Sequence, residues 1–363
     1  MRVFVTGGTG LLGNTIIRKL CQAGYDVLAL VRGTPAPEVF AGLDVEFFVS
    51  DLAANDLAGS DLAGSDAIDN KCDSDNASVD PADDDLDQAI ASCDAVIHSA
   101  ALIHLGWNRV DESMRVNRDG TRRIVGACLN NGKKLTYIGT VNAIALGSRQ
   151  VQADENTPTD HAGGQVECAY VQSKRASLQL IHQAVKQGLD AAIIHPGFML
   201  GPWDWKPSSG RMLLEVGKGW KPIAPSGGCS LCDSRDVADG VIAAMKANTV
   251  PGREFIMAGH NWTYQKLWAE MAKRMGTRPP IRAAGPGMEY LAGLAGDLLA
   301  RVTGKEPDFN SAGVTMSAQY HWYSSQRAIT ELGYQIRDAD ETLDTSSQWI
   351  RDRFILPTTA VGR

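Results

Sequence analysis

The sequence has no apolar run near the roughly 18 residues that a bilayer-spanning helix needs, so no integral membrane segment is expected. It also lacks a surplus of cations. Lys and Arg number 35 against 42 Asp and Glu, a net charge of −7. Phosphate backbones are held by clustered Lys and Arg, so nucleic acid is excluded as the main partner. Aromatics are sparse at 7%, but apolar residues reach 44%, which excludes a disordered chain. No secretory leader is expected, because Met1-Arg2-Val3-Phe4-Val5 reads directly into a strand. Seven cysteines, an odd count, then predict reduced thiols and a cytoplasmic protein. Cys229 and Cys232 form a C-x-x-C without a second pair at zinc spacing. Two ordinary thiols are favoured there over redox or metal chemistry, and no metal is expected.

At 363 residues the chain suits one large or two medium domains. Its acidity is local. Asp51 to Asp87 holds twelve Asp and one Lys, a charge of −11, so the remainder is mildly basic at +4. Within that stretch Asn55–Asp66 repeats a five-residue unit and has too few apolar residues to order itself. A solvated surface insertion is the expectation. Calcium binding is the alternative, although no twelve-residue loop with its closing Glu is present.

Elsewhere strands and helices alternate. Val3–Thr6, Val27–Val31, Val45–Val49, Asp94–His98, Leu135–Ile138 and Ala191–His195 read as strands. Leu11–Ala23, Arg109–Asn130 and Glu167–Gln187 read as helices. Such alternation predicts an α/β fold, a Rossmann-type doubly wound parallel sheet. That domain is expected over residues 1–200, with the acidic insertion at 53–84. Segment 233–258 is expected to return to it, and 201–363 to form a smaller substrate-binding region. Gly201–Gly228 reads as irregular, and Tyr264–Met275 and Met288–Val302 as helices. Glu289, Asp297 and Arg301 interrupt the last of these, which favours a buried amphipathic helix over one lying on a membrane.

Between the first strand and helix stands Thr6-Gly7-Gly8-Thr9-Gly10-Leu11-Leu12-Gly13. Gly7 permits the tight turn, Gly10 lets a pyrophosphate approach, and Gly13 lets the helix pack on the sheet. The helix N-terminus then turns free N–H groups toward the phosphates. Dinucleotide binding follows, with Thr9, Leu11 and Leu12 in the cradle. The second strand closes in Leu30-Val31-Arg32-Gly33, where an acid would bind the ribose 2′-OH of NAD. Val31 accepts no hydrogen bond and Arg32 can meet a 2′-phosphate, so NADP is preferred, with NAD the alternative. Asp51-Leu52 stands where a carboxylate could reach the adenine amine. His98-Ser99-Ala100-Ala101 supplies small residues on which a cofactor could lie flat.

Tyr170-Val171-Gln172-Ser173-Lys174 places a phenol and an ammonium on one helix face. A nearby ammonium should lower the phenol's pKa, which suits acid–base work on an alcohol during hydride transfer. Thr140, thirty residues earlier, could donate to the reacting oxygen. The plain alternatives are an exposed helical pair and a threonine capping local backbone.

Together with Val116-Asn117, Gly120-Thr121, His195-Pro196-Gly197 and Asp236-Val237-Ala238, these segments resemble the extended short-chain dehydrogenases/reductases, the NAD-dependent epimerase/dehydratase superfamily. Leu30-Val31-Arg32, Gly201–Ser208, Tyr323-Ser324-Ser325 and Glu331–Tyr334 are most similar to its dihydroflavonol-reductase-like and 3β-hydroxysteroid-dehydrogenase-like branch. Hopanoid-associated epimerase-like proteins share them. The resemblance implies that Tyr170 exchanges the proton, that Lys174 binds the nicotinamide ribose, and that Thr140 replaces the usual Ser. Pro196, Gly197 and Met199 would pass beside the nicotinamide, and Asn117 would brace the central helix. Gly139-Thr140 departs from the common Ser-Ser.

An NAD(P)-dependent ketone/alcohol oxidoreductase with a small hydrophobic substrate is therefore expected. Leu102, Ile103, Asn142, Phe198, Met199, Leu200, Trp203, Trp205 and Met212 are candidates for the substrate side, of which Ile103, Asn142, Phe198, Trp203 and Met212 are preferred. The alternative is a nucleotide-sugar epimerase or dehydratase with internally recycled NAD. A non-catalytic NADP sensor is disfavoured because both Tyr170 and Lys174 are kept. A homodimer is possible on this reading.

Overall fold

The computed structural model describes residues 1–53, 81–307 and 309–356. The acidic repeat and Cys72 lie outside them. Strand β1 (Arg2–Thr6) enters helix α1 (Leu11–Gln22) through the glycine turn, and β2 (Asp26–Val31) and β3 (Glu46–Val49) follow. Helix α2 (Pro81–Ala91) precedes β4 (Ala95–His98). A long helix then runs as α3 (Val110–Ser113), a π-helical stretch (Met114–Asp119) and α4 (Gly120–Asn130). It begins after Arg109, whose φ of 59° is left-handed. Next come β5 (Lys134–Ile138), α5 (Ala169–Lys186), β6 (Ala191–Pro196) and β7 (Phe198–Leu200).

Within Gly201–Gly228, read from sequence as irregular, the structure forms α6 (Gly210–Gly217), whose Leu213 and Val216 are buried, and the short β8 (Ile223–Ala224). The chain continues as β9 (Gly228–Asp233), α7 (Ser234–Lys246), β10 (Arg253–Met257), β11 (His260–Thr263) and α8 (Tyr264–Met275). It ends as β12 (Arg282–Ala283), α9 (Pro286–Thr303), α10 (Ser311–Ala318), β13 (Tyr320–His321), α11 (Gln326–Leu332) and α12 (Ala339–Ile350).

Seven parallel strands form the main sheet in the order β10-β6-β5-β4-β1-β2-β3. Parallel neighbours need crossover helices, and these cover both faces. Val3 and Val5 of β1 point into one core with Ile16, Ile17 and Val237, whereas Phe4 points into the other with Leu28, Ile124, Leu135 and Ile181. Each such fully buried side chain contributes about 1.5–3 kcal/mol relative to exposure. The chain leaves this sheet after β6 for β7 and β9, re-enters it at β10, which pairs with β6, and then adds β11 and β13, so that β11, β9, β13 and β7 make a smaller sheet. A third core lies over the smaller sheet, with Leu213, Leu231, Leu267 and Leu343 at its centre.

Register decides where the sequence motifs meet. Leu30, Thr6, His98, Tyr137 and Ile193 stand abreast across β2, β1, β4, β5 and β6. Arg32, the Gly7–Gly13 turn, Ala100-Ala101, Gly139-Thr140 and Pro196-Gly197 all follow that row at the carboxyl edge. Ligands of open parallel sheets bind along this edge.

Helix α9 corrects an expectation. It is not a buried amphipathic helix: its buried residues are Gly293 and Gly296, and its large apolar side chains face outward. Among the described residues, no helix is long and apolar enough to cross a membrane.

Candidate active site

The glycine turn is built by close approach. Gly7 has φ +76°, and a Cβ there would lie 2.7 Å from Ala100 N. A Cβ on Gly13 would lie 2.2 Å from Gly7 O, so only glycine lets α1 seat against the turn. Gly10 differs, since the nearest atom to a Cβ there is Gly7 O at 3.5 Å. It caps α1 without a side-chain bond, and the first turn of α1 carries no acid. Together these leave an open, N–H-rich cradle that fits the pyrophosphate of a dinucleotide. Leu11 and Leu12 are buried behind it and Thr9 is half-buried.

One buried histidine ties the turn to the next strand. His98 Nδ1 lies 2.7 Å from Thr6 Oγ1, and its Nε2 lies 3.1 Å from Thr121 Oγ1. Thr121 already donates to Asn117 O, and Thr6 Oγ1 already accepts from the N–H groups of Ser99 and Ala100. The network therefore closes when Thr6 donates to Nδ1 and Nε2 donates to Thr121. Burial, helped by the positive charge of Lys174, pushes His98 down to about 3, so the ring is neutral. The sequence reading quoted His98 only for its place beside Ala100.

Arg32 lies beside the turn, two residues past the Thr6–Leu30 pair. It is exposed, and among the described residues its guanidinium has no hydrogen-bond or ion-pair partner. Leu52 is buried against Gly120, while Asp51 is exposed and Oδ1 accepts from Ala53 N. Ala100 and Ala101 are half-buried and exposed at the edge of the sheet.

The catalytic candidates converge. Tyr170 opens α5, where the Cys168 cap gives no side-chain bond. The helix's free N–H groups are satisfied instead by the loop after β4: Ala169 N donates to Gly106 O and Tyr170 N to His104 O. Asn117 holds the same loop. Its Oδ1 accepts from Leu102 N at 2.7 Å, and its Nδ2 donates to Leu102 O and to Ser173 Oγ. The Thr140 hydroxyl stands near the Tyr170 phenol and favours its ionised form. Its Oγ1 also accepts from Asn142 N at 3.2 Å, so the capping role and the proximity to Tyr170 coexist.

The expected lowering of the phenol pKa does not occur. Burial pushes Tyr170 up to about 12, and the Thr140 hydroxyl offsets only part of this. Lys174 does not reverse the effect of burial. Its Nζ donates to Ile138 O at 2.7 Å and stands 4.6 Å from the Tyr137 ring centroid, and burial pushes it down to about 7. Among the described residues the bond to Ile138 O is the one hydrogen bond it makes, so the buried amine keeps capacity to bind hydroxyl groups such as those of a ribose.

The Gly139 departure has a steric cause. A Cβ there would lie 2.6 Å from the ring of His195. His195 is fully buried. Its Nε2 lies 2.8 Å from Glu254 Oε2, and Nδ1 lies 3.2 Å from Thr140 O. Burial would raise Glu254, but hydrogen bonds from His182 and His195 outweigh it and hold the carboxyl at about 2.

A second group was invisible in the sequence. Glu306, after α9, reaches the loop beside Tyr170, accepting from Trp107 N at 2.8 Å and Asn108 N at 3.1 Å and pairing with His104 at 2.9 Å. Gly106 leaves the carboxylate its place, because a Cβ there would lie 2.2 Å from Glu306 Oε2 and would displace it. A lone Glu in Gly304-Lys305-Glu306-Pro307 carries no motif that could announce this role.

The proposed substrate-side residues are not all brought together. Ile103 is exposed on the loop that holds Tyr170, and Asn142 is half-buried beside Thr140. Pro196, Gly197 and Met199 follow β6, with Gly197 packed where a Cβ would strike Ser230 O. Phe198 and Met212 pack on the third core. Trp203 stacks under Arg18 of α1, and Trp205 donates to Asn14 and packs on the first core. Leu200 is buried. Cys229 and Cys232 are both buried, and burial raises their thiols. Three residues apart on β9, they point to opposite faces. Among the described residues no cluster could hold a metal ion.

Comparison with known proteins agrees with this geometry. A Synechocystis sp. protein provisionally named dihydroflavonol 4-reductase is 28% identical, over 98% of this chain and 96% of its own. Sterol demethylase protein B of Methylococcus capsulatus is 23% identical, over 97% and 99%. The crystal structure of gox2253 superposes with a TM-score of 0.76 at 29% identity, covering 96% of this chain and 97% of that one. The family model described as NAD dependent epimerase/dehydratase matches residues 3–258. The chain therefore belongs to the NAD dependent epimerase/dehydratase family of extended short-chain dehydrogenases/reductases, and is an NAD(P)-dependent oxidoreductase.

Proposed function

We propose that this chain is an NADP-dependent reductase that converts a ketone or aldehyde on a small apolar substrate into an alcohol. What supports the reading is that the Tyr170 phenol, the Thr140 hydroxyl near it and the buried Lys174 share the carboxyl edge beside the glycine turn. The nicotinamide, when bound, supplies the hydride. Tyr170, kept protonated by burial, donates its proton to the carbonyl oxygen as negative charge develops there. Thr140 accepts from Asn142 and keeps its own O–H to donate to the same oxygen. Lys174 holds the ribose hydroxyls and so sets the ring's position. Gly10, Thr9, Leu11 and the α1 N-terminus would carry the pyrophosphate, with Asp51, Leu52, Ala100, Ala101, Pro196, Gly197 and Met199 along the rest of the cofactor.

The unpaired guanidinium of Arg32 supports NADP over NAD. Exposed Ile103, Leu105 and Trp107, on the loop whose His104 carbonyl receives the Tyr170 N–H, support an apolar substrate. Incubation with NADPH and a panel of apolar ketones, followed at the nicotinamide absorbance band, tests the reading. Stoichiometric NADPH oxidation is expected, whereas an epimerase that recycles its cofactor consumes none. Tyr170→Phe should lower kcat roughly 100- to 10,000-fold while cofactor affinity holds. Full activity in that variant would assign the proton to another group.

A further inference from the structure

Helix α9 is built inside out for a helix of a water-bathed surface. Its inward side is made of small and acidic residues. A Cβ on Gly296 would lie 2.3 Å from Phe309 O, and one on Gly293 would lie 3.0 Å from Ser311 Cα. Glu289 accepts from Ser226 N at 3.2 Å and Asp297 from Ser311 N at 2.9 Å. Its outward side carries Tyr290, Leu291, Leu294, Leu298 and Val302, exposed by 71, 64, 53, 60 and 77%. Trp107 of the loop after β4, itself 44% exposed, donates to Ser311 Oγ at 2.7 Å on the inward side of the helix. An exposed apolar stripe such as the outward side marks an interaction site.

Charge names the occupant. Between residues 281 and 306 there are three carboxylates, Glu289, Asp297 and Glu306, and each is turned inward onto backbone N–H groups. The three cations of the same span, Arg282, Arg301 and Lys305, are exposed, and among the described residues their side chains make no ion pair. A chain of net charge −7 thus presents here, among the described residues of this span, an apolar stripe flanked by exposed cations. Two copies meeting symmetrically through this span would set the same cations against each other, whereas anionic headgroups supply the counter-charge, and acyl chains take the leucines.

We propose that the outer face of α9 seats this protein on an anionic lipid surface, with α9 lying in the plane of the interface. The seat adjoins the loop whose His104 carbonyl receives the Tyr170 N–H, so an apolar substrate dissolved in the bilayer would enter from that side. The surface binding itself does not rest on the reductase reading, and it is measured without turnover.

Co-sedimentation of the full chain with vesicles of phosphatidylcholine plus phosphatidylglycerol, and with phosphatidylcholine alone, tests it. Binding to the anionic vesicles, weakened by added salt, is expected. Leu294→Glu with Leu298→Glu should lower the bound fraction about tenfold or more, because it sets two charges in the acyl boundary. Arg301→Glu with Lys305→Glu should abolish the preference for anionic lipid. NADPH binding measured by fluorescence should stay unchanged in both pairs, which shows that they fold. A protein that remains in the supernatant at all lipid concentrations overturns the proposal. So does a lipid-free dimer, seen by sedimentation velocity, that Leu294→Glu with Leu298→Glu splits into monomers, since the face would then belong to a second copy.

Discussion

At the scale of single residues, the site works by burying groups that water would otherwise ionise. Lys174 is the sharpest case. Unfolded, its amine holds a proton up to about 10.5, and folded only up to about 7. The unfolded chain thus binds the extra proton between those values, and stability rises with pH across that window. Below pH 7 the buried charge costs on the order of a few kcal/mol. Lys174→Met should accordingly raise the Tm by several degrees at neutral pH while abolishing most turnover, as calorimetry and NADPH oxidation would show. A fall in Tm would mean that the bond to Ile138 O outweighs desolvation. Arg32 carries the opposite kind of prediction. Arg32→Ser should weaken NADPH binding about tenfold or more and leave NADH binding nearly unchanged, measured by fluorescence titration. Equal losses for both cofactors would remove the 2′-phosphate role. Tyr170, Lys174, Arg32 and the three glycines were legible in the sequence because spacing along one strand, turn or helix brings them together. The direction of the Tyr170 shift was not legible, since it depends on burial and on the Lys174 amine bonding to Ile138 O instead of charging the phenol.

At the scale of elements, the loop after β4 is the joint between the cofactor side and the substrate side. Asn117 pins its start, Glu306 its middle, and its carbonyls cap α5 under Tyr170. Glu306→Ala would strip two loop N–H groups and His104 of their acceptor. A loss of about 2–4 kcal/mol in stability is expected by denaturant titration, with kcat falling as the Tyr170 end of α5 loosens. Unchanged kcat would show that α5 is held by Asn117 and Ser173 alone. The bounds of β1 to β6 and of α1, α5 and α8 were readable from periodicity to within about two residues. Helix α9 was not, because the moment of a helix says how its residues divide but not which half the protein will choose to cover. Its glycines met α10 at close range and its acids met backbone N–H groups, so the apolar half was left outside.

At the scale of the whole molecule, buried histidines set the acid limit. Burial pushes His98 to about 3 and His321 to about 4, against an ordinary value of 6.5. Unfolding frees both to take protons that the folded chain refuses, so stability falls as pH drops from about 6.5 toward 4. Glu254, held at about 2 by its two imidazoles, adds a loss only as pH falls from about 4.5 toward 2. Thermal unfolding followed from pH 7.5 to 4.5 should therefore show a declining Tm, and the decline should shrink in His98→Asn if that variant keeps the links to Thr6 and Thr121. A flat Tm would mean that the histidines reach solvent before global unfolding. The sequence by itself determined the parallel sheet, the dinucleotide turn and the Tyr170–Lys174 pair, because each is a local pattern of spacing along the chain. Only the tertiary structure decided that Gly139 yields to His195, that Glu306 reaches back about 200 residues to the loop beside Tyr170, and that α9 faces outward. Those are contacts between distant segments, where close packing of backbone and buried charge selects the partner and no spacing records the choice.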